Sequence, residues 1–148
     1  MNEIEQAIAD ICHLSYGLNY EVFLAIHEVP RALGSRVTEY IREAIGIEAV
    51  VGGHVYISGE DLLIEVEKCL TYEGHRGTGP LPENRNSPRF NHAVQIVLSH
   101  ARELVASSEY CEEFWLDEGH PADPVFWDFA YLVVGRENVH VLIGSSSD

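Results

Sequence analysis

Ser87 and Pro88 open the segment that most limits how this chain can fold. A serine hydroxyl caps the free backbone N–H groups of a helix's first turn. Proline loses nothing at the first helical position, where its missing N–H would have had no partner. Behind them Phe90, Val94, Val97, Leu98, Ala101, Leu104 and Val105 recur at three- and four-residue spacing. That spacing predicts a helix with one long apolar stripe, which needs a second apolar layer to cover it. The run VFWDFAYLVVGRENVHVLIG supplies one. It reads as two strands, Val125 to Val134 and Val139 to Ile143, with a turn around Gly135–Asn138.

The rest of the chain fits around this pair. Residues 3–16 read as a helix, with Ile4, Ala7, Ile8, Ile11 and Cys12 at helical spacing and Gly17 as its stop. Residues 20–29, YEVFLAIHEV, are a strand or a helical turn. Ser35 stands where a cap belongs before a helix over 36–45, and Gly46 where that helix ends. Residues 47–57 have strand character, with Gly52–Gly53 as a hairpin turn or a bulge. Ser58 and Asp61 resemble a helix start, followed by Leu62, Leu63, Val66, Cys69 and Leu70 facing inward. Residues 73–87, EGHRGTGPLPENRNS, are a loop, and the GSSSD ending is polar and expected to be loose over 144–148. The order predicts an α+β class: one compact domain over 1–148, about four helices packed on a small, mainly antiparallel sheet with a C-terminal hairpin.

Function is constrained mainly by charge. The chain has 24 Asp and Glu against 9 Lys and Arg, a formal net charge of -15. Small domains stay soluble at a net charge of roughly 2–8. An apolar content of 46% is that of a folded protein, so the acids lie on a globular surface rather than in a disordered tail. Such a surface repels phosphates, which argues against direct nucleic-acid binding, and it attracts basic proteins over a long range. No apolar run approaches the roughly 18 residues that span a membrane. The amphipathic, acidic start lacks the basic and apolar regions of a secretory signal, and three scattered cysteines suit a reducing compartment, so the expected location is cytoplasmic.

Four candidate sites follow. The first is the stretch 109–128, where Glu109, Glu112, Glu113, Asp117, Glu118, Asp123 and Asp128 interleave with Trp115 and Trp127 and no Lys or Arg intervenes. Carboxylates pair with a partner's Arg and Lys, and aromatics supply anchoring area. The plainer alternative is a helix end and loop with core aromatics and solvated acids. The second is the loop carrying His75, Arg76 and Arg85, whose Gly74, Gly77 and Gly79 allow close backbone approach; it contacts a partner, or it is a surface connection. It lacks the Gly-Lys-Ser/Thr ending of a phosphate-binding loop. The third is the set of eight histidines, in which no paired zinc-ligand spacing occurs, so neither a metal site nor a cofactor is expected. The fourth is His120 with Asp123 or Asp128 as a general base and its orienter, the core of a small-enzyme alternative centred on the Gly74–Arg85 loop and His120.

In size and charge the whole chain resembles the immunity proteins of bacterial polymorphic-toxin and contact-dependent-inhibition systems. The resemblance in texture is carried by EYCEEFWLDEG, PVFWDFAYLVVG and LIGSSSD. Immunity proteins are small acidic domains of varied fold that bind a cognate toxin domain and block its active site. The resemblance therefore implies a non-enzymatic protein that neutralises a basic toxin or nuclease domain. A DNA mimic that inhibits a nucleic-acid-binding protein is the alternative that the same charge allows.

Overall fold

Both faces of the C-terminal hairpin are buried, which explains its nearly unbroken apolar runs. The computed structural model describes residues 2–75 and 77–148. Its main sheet contains β2 (Glu21–Pro30), β3 (Val50–Ile57), β5 (Tyr110–Glu118), β6 (Asp128–Val134) and β7 (Asn138–Ser147). They stand in the order β2-β7-β6-β5-β3, and every neighbouring pair is antiparallel. One face is covered by α1 (Glu3–Ser15), α3 (Gly59–Leu70) and α5 (Pro88–Ala106). Their stripes join Leu24, Cys111, Phe129, Tyr131, Val133 and Leu142 in one core. The other face carries α2 (Val37–Ile45), whose Tyr40 and Ile41 meet Leu132, Val134, Val141 and Ile143. The fold is α+β, as the element order predicts.

The helix starts obey local chemistry. Asn2 accepts from Glu5 N at 2.8 Å, and the Glu5 carboxylate accepts from Asn2 N at 3.2 Å, closing a capping box on α1. Ser58 Oγ accepts from Asp61 N at 3.1 Å ahead of α3. Ser87 Oγ accepts from Phe90 N at 3.2 Å and donates to Asn84 O at 2.7 Å. Ser87→Ala is expected to lower stability by about 1 kcal/mol; an unchanged urea midpoint would show that this cap contributes nothing. The start of α2 differs from expectation: Arg36, not Ser35, is the capping residue, and its side chain makes no capping bond.

Other differences matter more. The ambiguous run over 20–29 forms, from Glu21 to Pro30, the edge strand β2. The Gly52–Gly53 pair is a bulge rather than a turn, with register shifts between Val50 and Gly53. The loop over 73–87 folds back on the chain: β4 (Gly79–Pro80) pairs with β1 (Gly17–Leu18), and α4 (Pro82–Arg85) follows. Its glycines serve that closure, since a Cβ on Gly74 would lie 2.5 Å from Thr78 O. The expected loose ending is instead part of β7, where Ser145 and Ser146 are 1% and 0% exposed. Residues 110–118, expected as loop or helix end, form β5.

Candidate functional site

Strand β5 divides the acidic-aromatic stretch between two faces, because successive side chains on a strand point in opposite directions. Cys111 lies in the core beneath the helices, so Glu113 and Trp115 share its face. Glu112 and Phe114 point to the α2 side. The sequence-predicted set therefore does not form one patch. Glu112 Oε1 lies 3.0 Å from His54 Nδ1, and Glu109 accepts from Arg31 at 2.8 Å, so these two carboxylates have partners within the chain. Asp123 is exposed in the loop between β5 and β6, and Glu118 is the exposed end of β5, opposite Val50.

Glu113, Trp115 and Asp117 occupy the end of the sheet where the helical layer stops. The β5–β6 ladder runs from Tyr110↔Val134 to Glu113↔Tyr131, whereas the β3–β5 ladder continues to Glu118. The helix α3 packs over β6. Trp115 is 47% exposed and Val55, opposite Glu113 on β3, is 50% exposed. The bulge glycines shape the seat of the indole. A Cβ on Gly53 would lie 2.3 Å from the Trp115 ring, and one on Gly52 would lie 2.4 Å from Asp117 Oδ1. Trp115 thus lies flat across bare backbone with its outer face open, and neither β3 nor β5 contains a Lys or Arg.

Trp127 and Asp128 sit elsewhere, on a cleft of about 330 Å³ between α3 and the start of β6. Tyr72, Phe126 and Trp127 form its aromatic walls, Cys69 lies at its base, and Glu65, Lys68 and Asp128 ring it. Trp127 is fixed on three sides. Its Nε1 donates to Tyr20 Oη at 2.7 Å, its backbone N donates to Ser146 Oγ at 3.1 Å, and its ring stacks on Phe129 with centroids 6.0 Å apart. Tyr20 stacks on Tyr72 at 5.8 Å and packs against Phe126 at 5.7 Å. Burial pushes the Tyr20 hydroxyl up to about 12, and its bond from Trp127 opposes that shift.

Glu113, Glu65 and Asp128 converge electrostatically although they come from three elements. Burial is the main cause that raises the Tyr131 phenol, and these three carboxylates raise it further. Burial likewise pushes the Cys69 thiol up to about 12, with Glu65 and Asp128 adding and Lys68 opposing. Two carboxylates, Glu65 and Asp128, stand against one ammonium, Lys68, around the cleft, a balance that favours cations over anionic ligands.

Among the remaining candidates, those described make local contacts. His75 packs edge-on against Tyr72 at 5.9 Å, and Arg85 donates to Glu73 at 3.2 Å. Arg76 lies outside the described residues. His120 Nδ1 accepts from Ala122 N at 3.0 Å, closing a turn, and among the described residues it forms no hydrogen bond with Asp123 or Asp128. Burial lowers its pKa, and Asp128 and Asp123 only oppose that shift. Among the described residues no three His, Cys, Asp or Glu side chains are grouped to hold a metal ion, and no helix is long and apolar enough to cross a membrane.

No family model, curated protein or solved structure matches the chain. Its geometry is therefore the ground for a functional reading. Tyr20, Tyr72 and Glu65 carry the cleft but lie far from residues 109–128 in sequence. The one local signal for it was the period-two series Trp127, Phe129, Tyr131, which marks an aromatic strand face.

Proposed function

We propose that this chain is a binding protein that neutralises a basic partner, in the manner of an immunity protein blocking a toxin or nuclease domain. The observation that carries this reading is the open corner at Trp115. A tryptophan and a valine remain half exposed on a sheet face that helices otherwise cover. Glu113 and Asp117 flank them on the same face, Glu118 ends the strand beyond them, and β3 and β5 bring no Lys or Arg. Aromatic anchors within a charged rim are the arrangement that dominates binding energy at protein interfaces. A basic groove built to hold phosphates is complementary to it, and the net charge of -15 would speed the encounter.

The test starts with affinity capture of the tagged protein from its native cells and elution along a salt gradient, followed by binding of the recovered basic protein in purified form. Trp115→Ala is expected to weaken binding by at least about 30-fold, mainly through faster dissociation. The triple change Glu113→Gln, Asp117→Asn, Glu118→Gln is expected to slow association and flatten its salt dependence. Unchanged affinity in both variants would remove this surface from the reading. Recovery of no basic protein from cells that make the folded bait in quantity would remove the reading itself.

A further inference from the structure

We propose that the cleft between α3 and β6 is a receptor for a single guanidinium group, an arginine side chain presented by the partner. This deepens the binding reading, on which its biological sense rests, by naming the residue that the partner inserts. Tyr72, Phe126 and Trp127 line the cleft with aromatic rings, and Glu65 and Asp128 stand exposed at its rim. Neither carboxylate belongs to an ion pair among the described residues. A cation over an aromatic face gains from the ring quadrupole, more so when desolvated.

Three features select arginine. The planar guanidinium stacks on aromatic rings and offers a fork of donors to carboxylates, whereas the ammonium of lysine is compact and strongly hydrated. The volume of about 330 Å³ is at the low end for small-molecule pockets, roughly 300–1,000 Å³, and suits one side chain. The walls are also set in advance. Trp127 is held by Tyr20, Ser146 and Phe129, and Tyr72 is held by Tyr20, so little ordering is left to be done on binding. Phosphate-bearing ligands are disfavoured by the same carboxylates. Lys68 also lines the cleft, and it gives the assignment a sign that can be tested.

The probe is Nα-acetyl-arginine methylamide, titrated into the intact protein while the Trp127 indole N–H is followed by NMR. The citrulline analogue is the neutral isostere, and the lysine analogue is the competing cation. We expect a saturable shift with the arginine probe and none with citrulline. Asp128→Asn should weaken the arginine probe about five- to tenfold, and Lys68→Ala should tighten it. Equal shifts with citrulline, no saturable shift with arginine, or tighter binding of lysine would each overturn the assignment. The probe needs no partner, so the two ideas fail separately. If arginine does not bind while Trp115→Ala still weakens the whole partner, the cleft assignment falls and the binding reading stands.

Discussion

Deleting residues 144–148 is expected to destabilise the domain by about 3–5 kcal/mol or more, although the segment is polar and contains three serines. Gly144 to Ser147 pair with Leu24 to Glu21 on one side, and Gly144 and Ser145 pair with Phe129 and Asp128 on the other. Ser146 also accepts from Val125 N at 2.7 Å and donates its own N–H to Trp127 O at 3.0 Å. Each such bond is worth about 0.5–1.5 kcal/mol net, and buried groups left without partners cost more. A loss of this size compares with a typical total stability of about 5–15 kcal/mol. Thermal unfolding followed by circular dichroism should show a midpoint lowered by about 10 °C or more, or no cooperative transition. A truncated chain that melts like the intact one would mean that the remaining β2–β7 pairs, Ala25↔Ile143 to Pro30↔Asn138, hold β2 without the serine segment.

Phe129→Ala is expected to cost about 3–5 kcal/mol and to disable the cleft as well. Phe129 is 5% exposed and lies between Trp127 and Tyr131, with ring centroids 6.0 and 5.6 Å away. It also packs over Gly144, where a Cβ would meet its ring at 2.7 Å. Removing the ring opens a cavity in the core and takes away the support of Trp127. Phe129→Leu, which keeps most of the volume, should recover much of the stability but not the stacked position of Trp127. Urea denaturation measures the first effect, and Trp127 fluorescence in a Trp115→Phe background measures the second. If Phe129→Leu restores stability and the native Trp127 emission together, the aromatic stack does not position the cleft.

Elements whose information is local were readable from sequence. The Ser58 and Ser87 caps and the stripe of α5 are made by neighbouring residues, and the spacing of their side chains reports them directly. Strand β5 was not readable in this way. Its adjacent pairs Glu112–Glu113 and Phe114–Trp115 hide the alternation, because one face is covered by α2 while the other opens to solvent at Trp115. The GSSSD ending misleads for another reason. Small polar side chains are buried when the backbone is fully paired and their hydroxyls find acceptors or donors, so polarity alone does not mean exposure. The cleft is a tertiary product: Tyr72 lines it from just past a helix end, and the buried Tyr20 holds Tyr72 and Trp127 in place from a distant part of the chain.

The sheet order has a consequence for how the chain acquires its structure in time. In the main sheet, β2 pairs only with β7, the last strand in the sequence. Throughout synthesis of the intervening elements, the apolar segment Val22–Ile26 has no strand to join. The helices α1, α3 and α5 can form early, but the layer that they cover is completed only when β7 inserts between β2 and β6. Contacts this distant in sequence slow folding, because a long loop must close before any pairing rewards it. A nascent chain halted before β7 therefore exposes a sticky, unpaired edge, and its survival in the cell depends on how quickly the final hairpin arrives.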